Sequence, residues 1–558
     1  MAVNHGTEPW PARIRGPHGE VLGAGLAVDD RHVLTCAHVV AEAGGDGAAD
    51  PPTGPVDVDL VGQPGAPTTS ARVLPDCWVP PTVDGRGDLA LLELATPLSH
   101  GPFAPLRRLR SWGRRVVICG YPQTLEQGAY VRARLRGRSG AGRERVQMDS
   151  PATGPQVVQG FSGAAVVDEI TGHVVGMVVS TYDDAAGGRE AVAVGAPASG
   201  LSWMIPVETI VHHLPSLRDR VTGAPSVDLD FLRPDPTPVD PSTARRIADF
   251  FGHRLPANVL VMVTVHPGSG AAAAVRRAAV RSSREFRPAG GPSAGPDDDL
   301  AAPPIGSIDL AVDAAGRSTG DMSQRIAGWA GPADGAPAGP RPDDDAEPPP
   351  RALIINNLDA AAEPEQLLTE VVLPLVDQAP ARDLRMLLTF RGESVPLRTA
   401  LLAHRVAALR STEDAARAAY RVVAPLVADA PPVPARATRL RVRLTALRAA
   451  AAQGDASLPA RLADTEWTTD RALREAESVR QRLVAMRDRW SELRGRLDAF
   501  LAMAVRHGLS EDPGLGPDQR RAHGLFVDGP CDLAAAEAAV REYGEALLGR
   551  IEAGRGAA

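Results

Sequence analysis

The 558-residue sequence contains no lysine, so all 60 of its basic residues are arginine. Without lysine the chain cannot form a Ser–Lys dyad, a Schiff base or the lysine contact of a phosphate-binding loop. A GC-rich genome is the simplest explanation of this bias. The formal net charge of −8 also argues against a general nucleic-acid-binding protein, which usually has a basic surface, and we expect no nucleic-acid partner.

Cysteine is scarce as well, with four residues at positions 36, 77, 119 and 531. Four cysteines in so long a chain do not make a disulfide framework, and their spacing matches no zinc site. No apolar run approaches the roughly 18 residues that span a bilayer. The start Met1–Gly6 has neither the charge nor the apolar run of a secretory signal. We therefore expect a cytoplasmic protein without a membrane partner.

The chain is long enough for three or four domains, and its patterns change along its length. Residues 1–222 read as short strands separated by Gly and Pro turns, which is typical of β-barrels or a β-sandwich. The proline-rich residues 223–241 are predicted to be a linker. Residues 242–425 alternate helices with fully apolar strands, the kind that lie inside a parallel sheet. Their two stretches rich in Pro, Gly, Ala and Asp, 287–304 and 331–350, are predicted to be disordered insertions.

Residues 426–558 are predicted to form a helical C-terminal module. From Ala476 the apolar residues recur at steps of three and four, with Arg and Glu between them. We interpret this stripe as the packed face of a helical bundle, and the alternative is a coiled coil between chains. Asp532 is a candidate N-cap for the last helix. The oligomeric state stays open.

Three short motifs contain the side chains that nucleophilic acyl transfer requires. His38 follows an apolar strand in Thr35–Val40, Asp88 begins the run Asp-Leu-Ala-Leu-Leu, and Ser162 lies in Gly-Phe-Ser-Gly. A serine hydroxyl is a poor nucleophile until an imidazole removes its proton, and the imidazole needs a buried carboxylate. The three residues are therefore candidates for a catalytic triad.

The order His, Asp, Ser and the residues around each of them resemble the chymotrypsin-like (trypsin-like) serine peptidases, particularly their bacterial HtrA branch. The resemblance covers residues 1–222. It implies an all-β fold of two barrels with the active site in the cleft between them, and a protein substrate. It also implies an oxyanion hole formed by the amides of Gly160 and Ser162. Neither a metal nor another cofactor is implied.

Phe161 departs from the pattern of this family. Many relatives have an Asp at this position, which pairs with a freshly cleaved N-terminus, so activation by N-terminal trimming is not expected here. We expect control from the domains after Pro225. Removal of residues from about 226 onward should change peptidase activity, most simply by raising it.

Substrate-binding residues can be assigned only through the same resemblance. It places Gln156 near the floor of the pocket for the residue before the scissile bond, with Val157 and Gln159 near its wall. An uncharged floor favours an apolar or small substrate residue. The edge strand that pairs with the substrate backbone would consist of Val179, Ser180 and Thr181. The alternative is that this segment only closes the barrel.

A second resemblance begins at Val259. This apolar strand, the turn His266–Gly270 and the helix after it resemble the P-loop of NTPases of the STAND class. Ala271 and Ala272 replace the Lys and the Ser or Thr that bind phosphate and Mg²⁺, and Asn356 replaces the Mg²⁺-associated Asp. We expect a pseudo-NTPase that binds no nucleotide. The alternative is an unrelated α/β domain with a glycine-containing turn.

Together these features predict a multidomain chain, with an all-β double-barrel peptidase, a P-loop-like α/β domain and an all-α C-terminal module. The leading hypothesis is an intracellular serine endopeptidase regulated by the later domains. Such chains resemble bacterial defence and signalling proteins. The alternative is a catalytically silent scaffold or sensor that binds partner proteins. A regulatory protein partner is compatible with both.

Overall fold

The computed structural model of the chain forms two compact units, Met1–Gly392 and Glu393–Ala558. It describes residues 8–556 with these gaps: 45–49, 62, 64, 66, 83–84, 99–100, 109–112, 123–124, 126, 139–143, 152–153, 182–200, 256, 265–268, 289–301, 331–350, 381 and 393. The predicted insertions therefore lie largely or wholly outside the described residues, and so do the first three residues of the turn His266–Gly270.

The first unit begins with a closed barrel of six antiparallel strands, in the order β1-β2-β3-β6-β5-β4. The strands are β1 Pro11–Arg15, β2 Val21–Ala27, β3 His32–Thr35, β4 Val56–Asp59, β5 Thr68–Val79 and β6 Leu89–Leu94. Alternate residues of β1 are buried, as expected for a strand with one face on a core. Helix α1, Ala37–Gly44, follows β3 directly.

A second closed barrel of six antiparallel strands follows, in the order β7-β8-β9-β12-β11-β10. Its strands are β7 Arg115–Gly120, β8 Ala129–Arg138, β9 Val146–Asp149, β10 Ala165–Asp168, β11 Val174–Thr181 and β12 Leu201–Pro206. Helix α2, Val207–His213, comes after β12. The double-barrel fold that the sequence predicts for this region is confirmed.

A four-stranded parallel sheet completes the first unit, in the order β13-β16-β15-β14. The strands are β13 Val259–Val263, β14 Leu310–Asp313, β15 Arg351–Asn356 and β16 Leu384–Phe390. The helices of this α/β domain are α3 Pro241–Phe251, α4 Gly270–Ser282, α5 Thr319–Ala330, α6 Pro364–Leu367 and α7 Leu373–Gln378. Side chains of α3 and α4 pack with Ile354 and Leu387 on one face of the sheet, because alternate residues of a strand point to one face.

The segment 223–241, predicted to be a linker, packs onto this α/β domain. Val227 and Phe231 are buried in the same core as the sheet. The Asp228 carboxylate accepts the amide hydrogen of Asp313 at 3.1 Å and forms an ion pair with Arg317 at 2.9 Å. The prolines of this segment favour extended backbone, which is why its composition predicts a linker. Composition does not show that its apolar residues Val227 and Phe231 are buried.

The second unit consists of helices in its described residues: α8 Val395–Val423, α9 Ala437–Gln453, α10 Leu458–Arg506, α11 Gly516–Val527 and α12 Leu533–Gly556. Leu483, Leu493 and Leu497 of the predicted stripe are buried. The Asp532 carboxylate accepts the first free amides of α12, at 2.9 and 3.1 Å. None of the described helices combines the length and hydropathy that a membrane crossing requires.

The boundary of this helical unit differs from residue 425, where the sequence predicts it. Helix α8 belongs to the second unit. Its Leu402, Val406 and Leu409 share one core with Leu440 of α9 and Leu462 of α10. The apolar stripe of α8 therefore joins the bundle rather than the sheet.

Candidate active site

His38 makes two hydrogen bonds to the carboxylate of Asp88. The ring Nδ1 of His38 lies 2.7 Å from Oδ2 of Asp88, and the backbone N–H of His38 donates to Oδ1 at 3.0 Å. The Asp88 carboxylate is 4% exposed and the imidazole is 35% exposed. Since a carboxylate accepts hydrogen bonds, Nδ1 carries the proton and Nε2 is left as the basic nitrogen.

The backbone before this carboxylate is held in an unusual conformation. Gly87 and Asp88 both have left-handed backbone, with φ of 75° and 76°. A Cβ on Gly87 would come within 2.6 Å of the Pro80 carbonyl oxygen, so only glycine fits there. The amide of Asp88 donates to the carbonyl of Val79 at 2.9 Å, and the amide of Gly87 donates to a carboxylate oxygen of Glu144 at 3.3 Å.

The loop that contains Ser162 is fixed between the two barrels. The carbonyl of Ser162 accepts the amide of Ala24 in β2 at 2.8 Å, and the amide of Gly163 donates to Val178 in β11 at 2.9 Å. Gly163 has φ of 87°, and a Cβ there would collide with the Ala24 carbonyl. The serine therefore lies at the junction of the barrels, and its side chain is partly exposed.

The predicted oxyanion hole lies in the same tight turn. Gly160 has φ of 96°, and a Cβ on it would collide with the carbonyl of Tyr121. The amide of Phe161 donates to Val158 at 3.1 Å. Among the described residues, the amides of Gly160 and Ser162 make no comparable bond to a backbone carbonyl. The amides of Gly160 and Ser162, on either side of the bonded Phe161 amide, match the pair of donors that stabilises an oxyanion.

Phe161 is fully buried in the core of the second barrel, against Gly120. A side chain in this position cannot pair with a chain terminus in water. The turn is therefore held by apolar packing.

The predicted substrate-binding residues lie in two segments, 156–159 before the Ser162 turn and 179–181 in β11. In the first segment, Gln156 donates from Nε2 to the carbonyl of Pro151 at 2.6 Å. Val157 is buried in the core of the second barrel, and Gln159 is exposed. The side chain of Val179 is buried in the core. It therefore cannot line a substrate groove, and only its backbone is available to a substrate.

Strand β11 has an unusual end. β10 pairs with β11 only as far as Met177, while Ser180 and Thr181 pair with Trp203 and Ser202 of β12. In the described part of the barrel, the last residues of β11 therefore have a strand neighbour on one side only. This arrangement is compatible with the edge-strand role that the sequence predicts.

Cys36 lies beside His38 and Asp88, and the sequence analysis assigned it no role at this site. Its sulfur, a His38 ring nitrogen and an Asp88 oxygen all lie within 4.8 Å of one another. Metal ligation would need a thiolate. Burial raises the pKa of the Cys36 thiol well above its ordinary value, and the thiol donates to the Val178 carbonyl at 3.3 Å. These donors therefore fit a triad better than a metal site.

Residues 23–177 match the family described as trypsin-like peptidase domain. This part of the chain is similar to trypsin-like peptidase domains. The match begins in β2 and ends in β11, so it includes all three candidate triad positions. It covers less than half of the chain.

Solved structures of proteases resemble part of the chain. The inactive form of the Rv3671c protease is 22% identical, with 38% of this chain and 89% of that chain covered and a TM-score of 0.26. A variant of the same protein, from M. tuberculosis H37Rv, has a TM-score of 0.27 at 20% identity, with 38% and 88% covered. The MamO protease domain from Magnetospirillum magneticum is 16% identical, with 38% and 98% covered and a TM-score of 0.26. No curated protein matches the chain.

The α/β domain has polar groups at the carboxyl ends of its strands, where such sheets bind ligands. The side-chain amides of Asn356 and Asn357 both donate to Asp313, at 2.8 Å each. Thr389 donates to Oδ1 of Asn356 at 2.6 Å. Ser269 caps α4 through the amide of Ala272 at 3.2 Å. These side chains are used in bonds within the protein.

The peptidase domain and the α/β domain meet through buried charges. The segment Ser283–Arg287, which we call the docking segment, follows α4 and contacts the peptidase domain. Arg108 binds Glu285 through two hydrogen bonds of 2.7 Å each, and His212 lies 3.3 Å from the Glu285 carbonyl. Arg218 lies over the ring of Phe286 at 5.9 Å.

We expect Glu208 on α2 to make the stability of this junction depend on pH. Burial, with a further contribution from Glu285, raises the pKa of Glu208 to about 7 from 4.5. The folded state therefore binds this proton more tightly than the unfolded state, so the contribution of Glu208 to stability falls as pH rises from about 4.5 to 7. Glu208→Gln should be no more stable than wild type at pH 4.5. At pH 8 its melting temperature should be higher, by about 2–4 °C for each kcal/mol of burial cost removed.

Thermal unfolding of the full chain across this pH range measures the effect. Glu42→Gln, at an exposed position on α1, is the control and should show no such divergence. A Glu208→Gln curve that runs parallel to wild type at all pH values would contradict the prediction.

Proposed function

We propose that this chain is a serine endopeptidase that cleaves protein substrates through His38, Asp88 and Ser162. One observation supports this most strongly: the Asp88 carboxylate binds both the backbone amide and the ring Nδ1 of His38. This arrangement orients the imidazole and stabilises the cation that forms when Nε2 takes a proton.

In the proposed reaction, Nε2 of His38 removes the proton from Oγ of Ser162 as Oγ attacks the substrate carbonyl carbon. The resulting oxyanion accepts hydrogen bonds from the amides of Gly160 and Ser162. Collapse of the intermediate breaks the peptide bond, and His38 gives its proton to the leaving amine. Water, activated by the same imidazole, then hydrolyses the acyl-enzyme and restores the serine.

The test of this function is hydrolysis of an unfolded, fluorescently labelled protein by the purified full chain. A library of peptides would show the preference before the scissile bond, which we propose to be apolar or small because Gln156 carries no charge. Absence of both hydrolysis and serine labelling, in a chain shown to be folded, would favour the alternative of a silent binding scaffold.

We further propose that the α/β domain is a pseudo-NTPase that regulates the peptidase domain, in the way that sensing domains regulate bacterial defence proteins. Its parallel strand order, with the P-loop-like strand β13 beside β16, supports this comparison. We also propose a cytoplasmic location for the chain. The four cysteines are free thiols, which is typical of proteins in a reducing compartment.

The pseudo-NTPase proposal predicts that nucleotide is not a cofactor. Ala271 and Ala272 offer neither a charge for the phosphates nor a hydroxyl for Mg²⁺, and the Ser269 hydroxyl donates to the Thr264 carbonyl at 2.6 Å. Calorimetric titration of the full chain with ATP and Mg²⁺ should show no binding, as should the titration without Mg²⁺. Micromolar, Mg²⁺-dependent binding would overturn this prediction and imply that an arginine replaces the missing lysine.

A further inference from the structure

The catalytic carboxylate is held in place by a residue outside the triad. A left-handed backbone at a non-glycine residue such as Asp88 persists only where its surroundings enforce it. The preceding amide, that of Gly87, donates to Oε2 of Glu144 at 3.3 Å. Glu144 lies just before β9 in the second barrel, and its carboxylate thus fixes a loop of the first barrel.

Glu144 can do this only if its own charge is compensated. The residue is 2% exposed, and removing a carboxylate from water is strongly unfavourable unless the charge is paired. Nε2 of His213 lies 3.1 Å from its Oε2, and the Arg287 guanidinium binds its Oε1. Burial by itself raises the pKa of Glu144, but the His213 hydrogen bond and the Arg287 charge hold that pKa below its ordinary value.

Arg287 belongs to the docking segment, 143 residues further along the chain than Glu144. It is 9% exposed, and its guanidinium also donates to the carbonyl of Arg284 at 2.5 Å. The α/β domain thus inserts a cation behind the active site. Two contacts link Arg287 to the residue before Asp88: Arg287 binds Glu144, and Glu144 accepts the amide of Gly87.

We propose that Arg287 is a positioning residue for Asp88, through which the α/β domain completes the catalytic site of the peptidase domain. This inference rests on the proposed peptidase function. It also changes the expected effect of removing the later domains. Without residues 226–558, Glu144 loses its cation, and peptidase activity should fall rather than rise.

The junction offers a matched control. Arg108 and Glu285 form a second buried ion pair between the same two domains. Arg108 also donates to the carbonyls of Val221 and Gly223, at 3.1 and 3.2 Å. None of these partners contacts Gly87 or Asp88 in the described residues. Loss of this pair weakens domain docking without a direct effect on the catalytic loop.

The experiment compares Arg287→Gln with Arg108→Gln in the full chain. Arg287→Gln should lower kcat by about 10- to 100-fold with KM nearly unchanged, because a displaced catalytic group affects the transition state and not substrate binding. Arg108→Gln, at equal or greater loss of thermal stability, should keep kcat within about threefold of wild type. Equal losses of kcat in the two variants would overturn the proposal.

A rescue variant separates positioning from folding. In Glu144→Gln/Arg287→Gln the amide oxygen at position 144 can still accept from Gly87 and needs no cation. This double variant should recover most of the lost kcat, and Arg287→Lys should recover part of it. Failure of both to recover activity, in chains that fold, would overturn the proposal. If Arg287→Gln alone does not fold, the two rescue variants are compared with Arg108→Gln instead.

Hydrogen–deuterium exchange provides a measurement that does not depend on activity. The peptide that contains Gly87 and Asp88 should exchange faster in Arg287→Gln than in wild type or Arg108→Gln. The same exchange in all three chains would overturn the positioning role even if the chain is an active peptidase. Faster exchange in Arg287→Gln, in a chain without hydrolytic activity, would support the contact and contradict only the proposed function.

Discussion

Ser162→Ala should lower kcat for protein hydrolysis by about six orders of magnitude, with little change in substrate binding. The backbone of this residue is fixed from both barrels, through the Ala24 amide on one side and the Gly163 amide to Val178 on the other. Removal of Oγ therefore deletes the nucleophile and leaves the turn in place. The measurement is hydrolysis of the labelled protein substrate, together with covalent labelling by a fluorophosphonate.

Two variants make this result specific. His38→Ala should abolish turnover to the same extent, and the double variant should be no worse than either single one, because the two groups act as a unit. Ser411→Ala removes an exposed serine on helix α8 and should react with the probe as wild type does. Persistent labelling of Ser162→Ala would disprove the assignment of the nucleophile.

Much of the peptidase domain could be predicted from the sequence because its motifs report local chemistry. A glycine that must adopt a positive φ, such as Gly160 or Gly163, is visible in the sequence, and so are the apolar runs that bury Asp88. The three motifs lie far apart in the chain, but each one requires a particular residue at a particular local position. This is why short segments were sufficient to predict the double barrel and the candidate triad.

Glu144 and Arg287 could not be predicted in the same way. Each is a single charged residue in a polar segment, and Arg287 falls at the start of a stretch whose composition predicts disorder. Their roles depend on a contact between two domains, and no periodicity or motif marks such a contact. The only sequence signal is indirect: Gly87 precedes Asp88, and a left-handed turn before a catalytic carboxylate needs support from elsewhere.

The limits of the α/β domain and of the helical unit could not be predicted from the sequence for a related reason. The residues 223–241 contain prolines and charges that are typical of a linker, although Val227 and Phe231 are buried. Helix α8 has an apolar stripe that would suit either a sheet or a bundle. Which surface a stripe covers is decided by shape complementarity in three dimensions, and composition does not carry that information.

Asp88→Asn should lower kcat by about four orders of magnitude while the active site keeps its shape. The Asn side-chain oxygen can still accept the backbone amide of His38, which now donates to Oδ1 at 3.0 Å. Its NH₂ group, however, would donate to Nδ1 and move the ring proton to Nε2. The imidazole then cannot remove the proton of Ser162. Asp57→Asn, at an exposed position on β4 of the same barrel, is the matched control and should leave kcat unchanged.

The same variant links the triad to the α/β domain. If Arg287 acts through Asp88, then Arg287→Gln should have little further effect on kcat in the Asp88→Asn background, because the carboxylate that it positions is already absent. Two losses that multiply would mean that Arg287 affects hydrolysis by another route. A loss of less than about tenfold in Asp88→Asn itself would mean that another group orients His38. Kinetics of the four chains, wild type, two single variants and the double variant, distinguish these outcomes.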